Sequence, residues 1–140
     1  MQQKVWMSIL GGRSDEADDN TVELITKGLY TLEGEKHILE YDESQLSGLE
    51  DTVTTMTVED GVITMSRRGQ FSTEFIFKSN QLFKGSYQTP YGNIIVDIFP
   101  TLVDYKIKDG SGKIDLEYTL DIGGESTVNQ IMVNFGPENR

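Results

Sequence analysis

A chain of 140 residues fits a single domain, taken as 1–140. Without cysteine it can form no disulfide, no thiolate nucleophile and no thiolate zinc site. With 23 acidic residues against 12 basic, its net charge of −11 sets it against phosphate backbones and anionic membrane surfaces. Nucleic acid and membrane are therefore excluded as partners, while small molecules and basic proteins remain open.

The composition favours strands. A single alanine, Ala17, stands against 34 Val, Ile and Thr residues, so the best helix former is nearly absent and the branched, strand-favouring residues abound. Val, Ile, Leu and Phe number 38, enough apolar material for a core. No apolar run approaches the roughly 20 residues of a membrane span. The start, Met1-Gln2-Gln3-Lys4-Val5, lacks the apolar stretch of a signal peptide, so the expectation is a soluble cytoplasmic protein.

In chain order, residues 4–10 form a first strand and the polar, acidic 13–20 a loop. Residues 21–32 alternate, with Val22, Leu24, Thr26, Gly28, Tyr30 and Leu32 on one face. Gly34-Glu35 turns the chain into a strand at 36–41, followed by a loop at 42–49. A Thr-rich strand at 51–58 meets a return strand at 62–68 through Glu59-Asp60-Gly61, since Asp-Gly accepts positive φ. Strands at 71–78 and 82–89 follow, joined by a Ser79-Asn80 turn and ended by Pro90-Tyr91-Gly92. Residues 93–99 and 101–108 give one long strand or two, with Pro100 marking an edge or a bend. After the turn at 109–112, residues 113–122 alternate most cleanly, with Ile114, Leu116, Tyr118, Leu120 and Ile122 on one side. Gly123-Gly124 leads into a last strand at 127–135.

About ten strands at ten-residue spacing leave no room for crossover helices, so the sheet is antiparallel. The fold class read from this is all-β: a single antiparallel up-and-down β-barrel of about 8–10 strands.

Chemistry is sparse. No Gly-x-Ser-x-Gly, His-Glu-x-x-His or nucleotide loop occurs, so no enzyme, no cofactor and no metal is expected. His37 is the lone histidine, follows a tight turn and is expected on the surface, without a nucleophile or ligand set around it. The acidic run Asp15-Glu16-Ala17-Asp18-Asp19 lacks the glycine and closing glutamate of a calcium loop and reads as solvated.

Arg67 is the charge of interest. It shares a strand face with Ile63 and Met65, so it points inward if they do, and Arg68 points out. An inward arginine must be paired or solvated. It serves either as a hook for a ligand carboxylate or phosphate, or as a structural group tied to Glu43 or to strand carbonyls. Tyr87, Tyr91 and Tyr118 join Arg67 and Glu43 as candidate ligand-binding residues, because phenols suit a wet apolar pocket. Core packing with satisfied hydroxyls is the other reading of these rings.

Three motifs carry a family resemblance. Ile63-Thr64-Met65-Ser66-Arg67-Arg68-Gly69 is a hydrophobic strand ending in Arg-x-Gly, Tyr87-Gln88-Thr89-Pro90-Tyr91-Gly92 is a Tyr-x-Thr-x-x-Gly turn, and Tyr41-Asp42-Glu43 is a Tyr-x-Glu strand end. In this order and at this length the chain resembles the DUF1934 family. The resemblance implies a small bacterial, cytoplasmic protein with a lipocalin-like, calycin-type barrel and no catalytic residue to carry over. Trp6 follows Lys4-Val5 rather than the Gly-x-Trp of secreted lipocalins, so their ligands are not implied. Two functions stand: a cytoplasmic binder of a small apolar or anionic ligand inside the barrel, or a protein-interaction module with a side-chain-filled barrel and an acidic outer surface. Self-association into a homo-oligomer is left open.

Overall fold

The computed structural model describes residues 2–14, 19–42, 52–69, 72–89 and 92–138. Ten strands follow one another: β1 (Gln2–Ser14), β2 (Asp19–Glu33), β3 (Lys36–Asp42), β4 (Val53–Glu59), β5 (Val62–Arg68), β6 (Ser72–Lys78), β7 (Phe83–Thr89), β8 (Gly92–Lys108), β9 (Ser111–Ile122) and β10 (Glu125–Pro137). Each pairs antiparallel with its sequence neighbours, and β1 also pairs with β10, closing an up-and-down barrel. No helix occurs among the described residues.

Turn chemistry sets the hairpins. Asp60 and Gly61 have φ of 52° and 77°, Asp109 and Gly110 55° and 81°. Two successive positive φ values give the turn whose twist matches that of the flanking strands. The expected 52–68 hairpin is thus present, with Val58 opposite Ile63 and Met56 opposite Met65.

Alternate residues of each strand point inward. Val5, Met7, Leu39, Met56, Val58, Ile63, Met65, Phe75, Phe77, Ile98, Ile114, Leu116, Val133 and Phe135 are buried and fill the described interior. Phe77 packs on Phe75 and Tyr118, at centroid distances of 6.5 and 4.9 Å. Gly28 in β2 has a steric reason. A Cβ there would lie 2.6 Å from the Glu40 carbonyl oxygen and 2.6 Å from Met7 Sδ, so the close approach of β2 to β3 excludes any side chain.

Two expectations change, for 13–20 and His37, and the alternative left open at Pro100 is settled. The loop read at 13–20 is shorter, because β1 and β2 continue pairing through Arg13–Asn20 and Ser14–Asp19. Pairing with β10 on the other side holds polar residues extended that would not choose a strand alone. Pro100 does not split its segment: β8 is continuous, with a bulge between Pro100 and Leu102. Val96 and Ile98 face inward before the bulge, and Val103, Tyr105 and Ile107 pack against the core after it. One extra residue therefore reverses the parity of the strand. His37 is half-buried rather than surface-exposed, and its Nδ1 lies 2.7 Å from the Tyr30 hydroxyl.

β6 and β7 register only through Ser72–Gln88 and Thr73–Tyr87 among the described residues. The wall creases there. At the far end of β6 the Asn80 amide donates to the Pro100 carbonyl at 2.9 Å, docking the β6–β7 turn on the bulge of β8.

Candidate functional site

Arg67 takes the inward position that the Ile63–Met65–Arg67 alternation requires. Arg68 is exposed on the outer side. Register places Tyr41, Thr54, Arg67 and Thr73 in one row across β3 to β6, and Tyr87 of β7 continues it. Tyr41, Thr54 and Thr73 are buried, and Arg67 is half-buried with its Nε shut off from solvent. The apolar interior thus ends in a polar girdle. Tyr41, Thr54, Arg67 and Thr73 are inward-facing because strand period places them there, and hydroxyls beside the guanidinium are the neutral groups that suit such a position.

Beside the girdle, at the β6–β7 crease, runs an open groove of about 740 Å3. Ser66, Arg67 and Arg68 of β5, Ser72, Thr73 and Glu74 of β6, Phe83 to Ser86 of β7 and Ile95 of β8 line it. Three of the lining residues, Arg67, Arg68 and Lys84, are cationic and one, Glu74, is acidic. The Ser66 hydroxyl donates to Glu74 at 3.4 Å, and Lys84 Nζ pairs with Asp97 at 3.1 Å. That ion pair is largely solvent-exposed, with side-chain accessibilities of 68% and 38%, so it holds Lys84 weakly. Gly85 makes room for the Phe83 ring. A Cβ at Gly85 would stand 2.8 Å from the Phe83 ring.

Of the residues singled out from sequence, Arg67 and Tyr87 fall in the same row. Tyr118 does not join them: it is buried against Phe77 as a core ring. Glu43 and Tyr91 lie outside the described residues, as does most of the acidic run, 15–18. Sequence reading missed Lys84, Arg68 and the serines. Nothing in the local pattern of 83–86 announces a site, and only the order β5–β6–β7 brings it to Arg67.

Elsewhere, the buried Tyr30 hydroxyl bonds His37 Nδ1, and burial raises the Tyr30 phenol above its ordinary value. Among the described residues no group of three or more histidine or carboxylate side chains is placed to hold a metal ion. The cationic groups of the groove's lining are of the kind that make charge-assisted hydrogen bonds to anions.

Comparison with solved structures gives a match to the ywiB protein from Bacillus subtilis, with a TM-score of 0.88, covering 99% of this chain and 94% of that one at 16% identity. At that identity the likeness shows a shared fold. No curated protein matches the chain. The family model described as "Domain of unknown function (DUF1934)" matches residues 7–133. The barrel, its span and this match together place the chain in the DUF1934 family.

Proposed function

We propose that the protein binds a small anionic ligand, a carboxylate or a phosphate, in the groove at the β6–β7 crease. The observation that carries this reading is a local reversal of charge. Arg67, Arg68 and Lys84 line one groove against a single Glu74, in a chain of net charge −11. Cations gathered in a concave site concentrate their field where a ligand would lie. The volume, about 740 Å3, falls within the roughly 300–1,000 Å3 of small-molecule sites. Ser66, Ser72, Thr73 and Ser86 add neutral hydrogen-bonding groups, and Phe83 and the exposed Ile95 offer an apolar wall.

The ligand sits at the crease and not deep in the barrel, whose described interior is occupied by packed apolar side chains. The role is binding, with no acid–base pair invoked. Titration with citrate and with inorganic phosphate, followed by amide chemical shifts, tests the proposal. Shifts should cluster on 66–68, 72–74 and 83–86, and Arg68→Ala with Lys84→Ala should weaken binding at least tenfold. Shifts scattered over other faces, or affinity unchanged in the double variant, would overturn it.

A further inference from the structure

The bulge in β8 does more than adjust register. It turns Leu102 outward, 45% exposed, on the same outer face as Met132 of β10, 37% exposed. With Leu10 of β1 they line a notch of about 170 Å3 across β1, β10, β9 and β8. Gly12 contributes no side chain to it, and Asp115, Glu117 and Gln130 complete the rim. Register agrees: Leu10 lies opposite Met132, Met132 opposite Asp115, and Leu102 opposite Glu117.

The charges of this rim are one-sided. Glu117 is held by neutral donors only: Gln130 Nε2 donates to Oε2 at 2.9 Å and the Thr101 hydroxyl to Oε1 at 3.2 Å. Asp115 faces Asp104 directly across the β8–β9 ladder, an arrangement that costs stability. Its salt bridge is a 3.8 Å contact with the exposed Lys113. Glu117 is therefore oriented beside an apolar notch without a cation among the described residues, and two carboxylates stand next to it.

We propose that this face docks a basic, amphipathic segment of a protein partner. One arginine or lysine of the segment lays its stem along Leu10, Leu102 and Met132 and sets its charged head at Glu117 and Asp115, as long cationic side chains do on apolar surface. A second copy of this chain is disfavoured as occupant because each carries a net charge of −11. The site is on a different face from the anion groove and does not depend on it.

The probe is a fluorescein-labelled peptide of alternating arginine and leucine, with its glutamate–leucine counterpart as control, titrated by fluorescence anisotropy at 150 mM salt. The basic peptide should bind and the acidic one should not. Glu117→Gln, which keeps the side chain's shape, should weaken binding at least fivefold, and Met132→Ser, which removes apolar surface without adding charge, at least twofold. Glu40→Gln, on the exposed face of β3, should leave it unchanged. Equal losses in Glu117→Gln and Glu40→Gln would show diffuse attraction to an acidic protein and overturn the proposal, as would amide shifts absent from 10–12, 115–117 and 130–132. Thermal melts of each variant separate lost binding from lost fold.

Discussion

The Gly61 amide donates a hydrogen bond to the Tyr105 hydroxyl at 2.9 Å, across 44 positions of sequence. It ties the turn between β4 and β5 to the second half of β8, past the bulge. Because both groups reach water, Tyr105→Phe should cost only about 0.5 kcal/mol, the low end for one hydrogen bond. Gly61→Ala keeps the amide but forces a Cβ into a φ of 77°, and should cost about 1–2 kcal/mol. Urea denaturation of both variants checks the order; a Tyr105→Phe loss exceeding that of Gly61→Ala would contradict it.

Tyr30 provides an alkaline signature. Its phenol is buried and its folded pKa lies above the ordinary value of 10.0 because burial disfavours the phenolate. The unfolded chain releases this proton first. The stabilising contribution is thus complete below about pH 10 and declines as pH rises from there through the folded value. Tyr30→Phe removes the hydrogen bond to His37, costing about 1 kcal/mol at pH 7. It should also make the fall in stability above pH 10 shallower than in the parent. Denaturation series from pH 8 to 11.5 measure both.

Gly28→Ala should be among the most damaging small changes. The added methyl meets the Glu40 carbonyl oxygen and Met7 Sδ. Met7 can adjust, but the backbone of β3 is fixed by pairing with β2 and β4. Overpacking of this kind costs about 1–3 kcal/mol. A melting temperature equal to the parent's would show that β2 and β3 can separate there.

Arg67 and Arg68 are adjacent yet should respond differently. Arg67→Met takes a half-buried guanidinium from a row of buried Thr54 and Thr73, and should lower stability by about 1–3 kcal/mol. Arg68→Ala removes an exposed side chain and should stay within about 0.5 kcal/mol of the parent, while weakening citrate binding. Similar stabilities for the two variants would contradict the inward–outward assignment.

Much of the fold could be read from residues. The alternation of Ile114, Leu116 and Tyr118 named the inner face of β9, and Asp60-Gly61 named a hairpin, because both signals are local. The parity of β5 likewise placed Arg67 inside. What escaped local reading depends on partners. Residues 13–14 and 19–20 are strand because β1 is paired on both sides. The bulge at Pro100 reverses which residues face in, so a fixed period-2 reading fails beyond it. Of the candidate site, Arg67 was visible as a charge on an apolar face. Lys84 was not, since β6 stands between its strand and that of Arg67, and the crease that opens the groove has no sequence marker.

The pairing of β1 with β10 sets Val5 beside Pro137, so this ladder joins strands far apart in sequence. Such non-local closure is slow, and barrels dominated by it fold on the millisecond-to-second scale. Until β10 arrives, β1 and β9 each present an open edge able to pair with another copy. The time window before closure, more than the finished barrel, is then where this protein is most exposed to aggregation. Refolding yield should accordingly fall with protein concentration even where the native state is fully monodisperse.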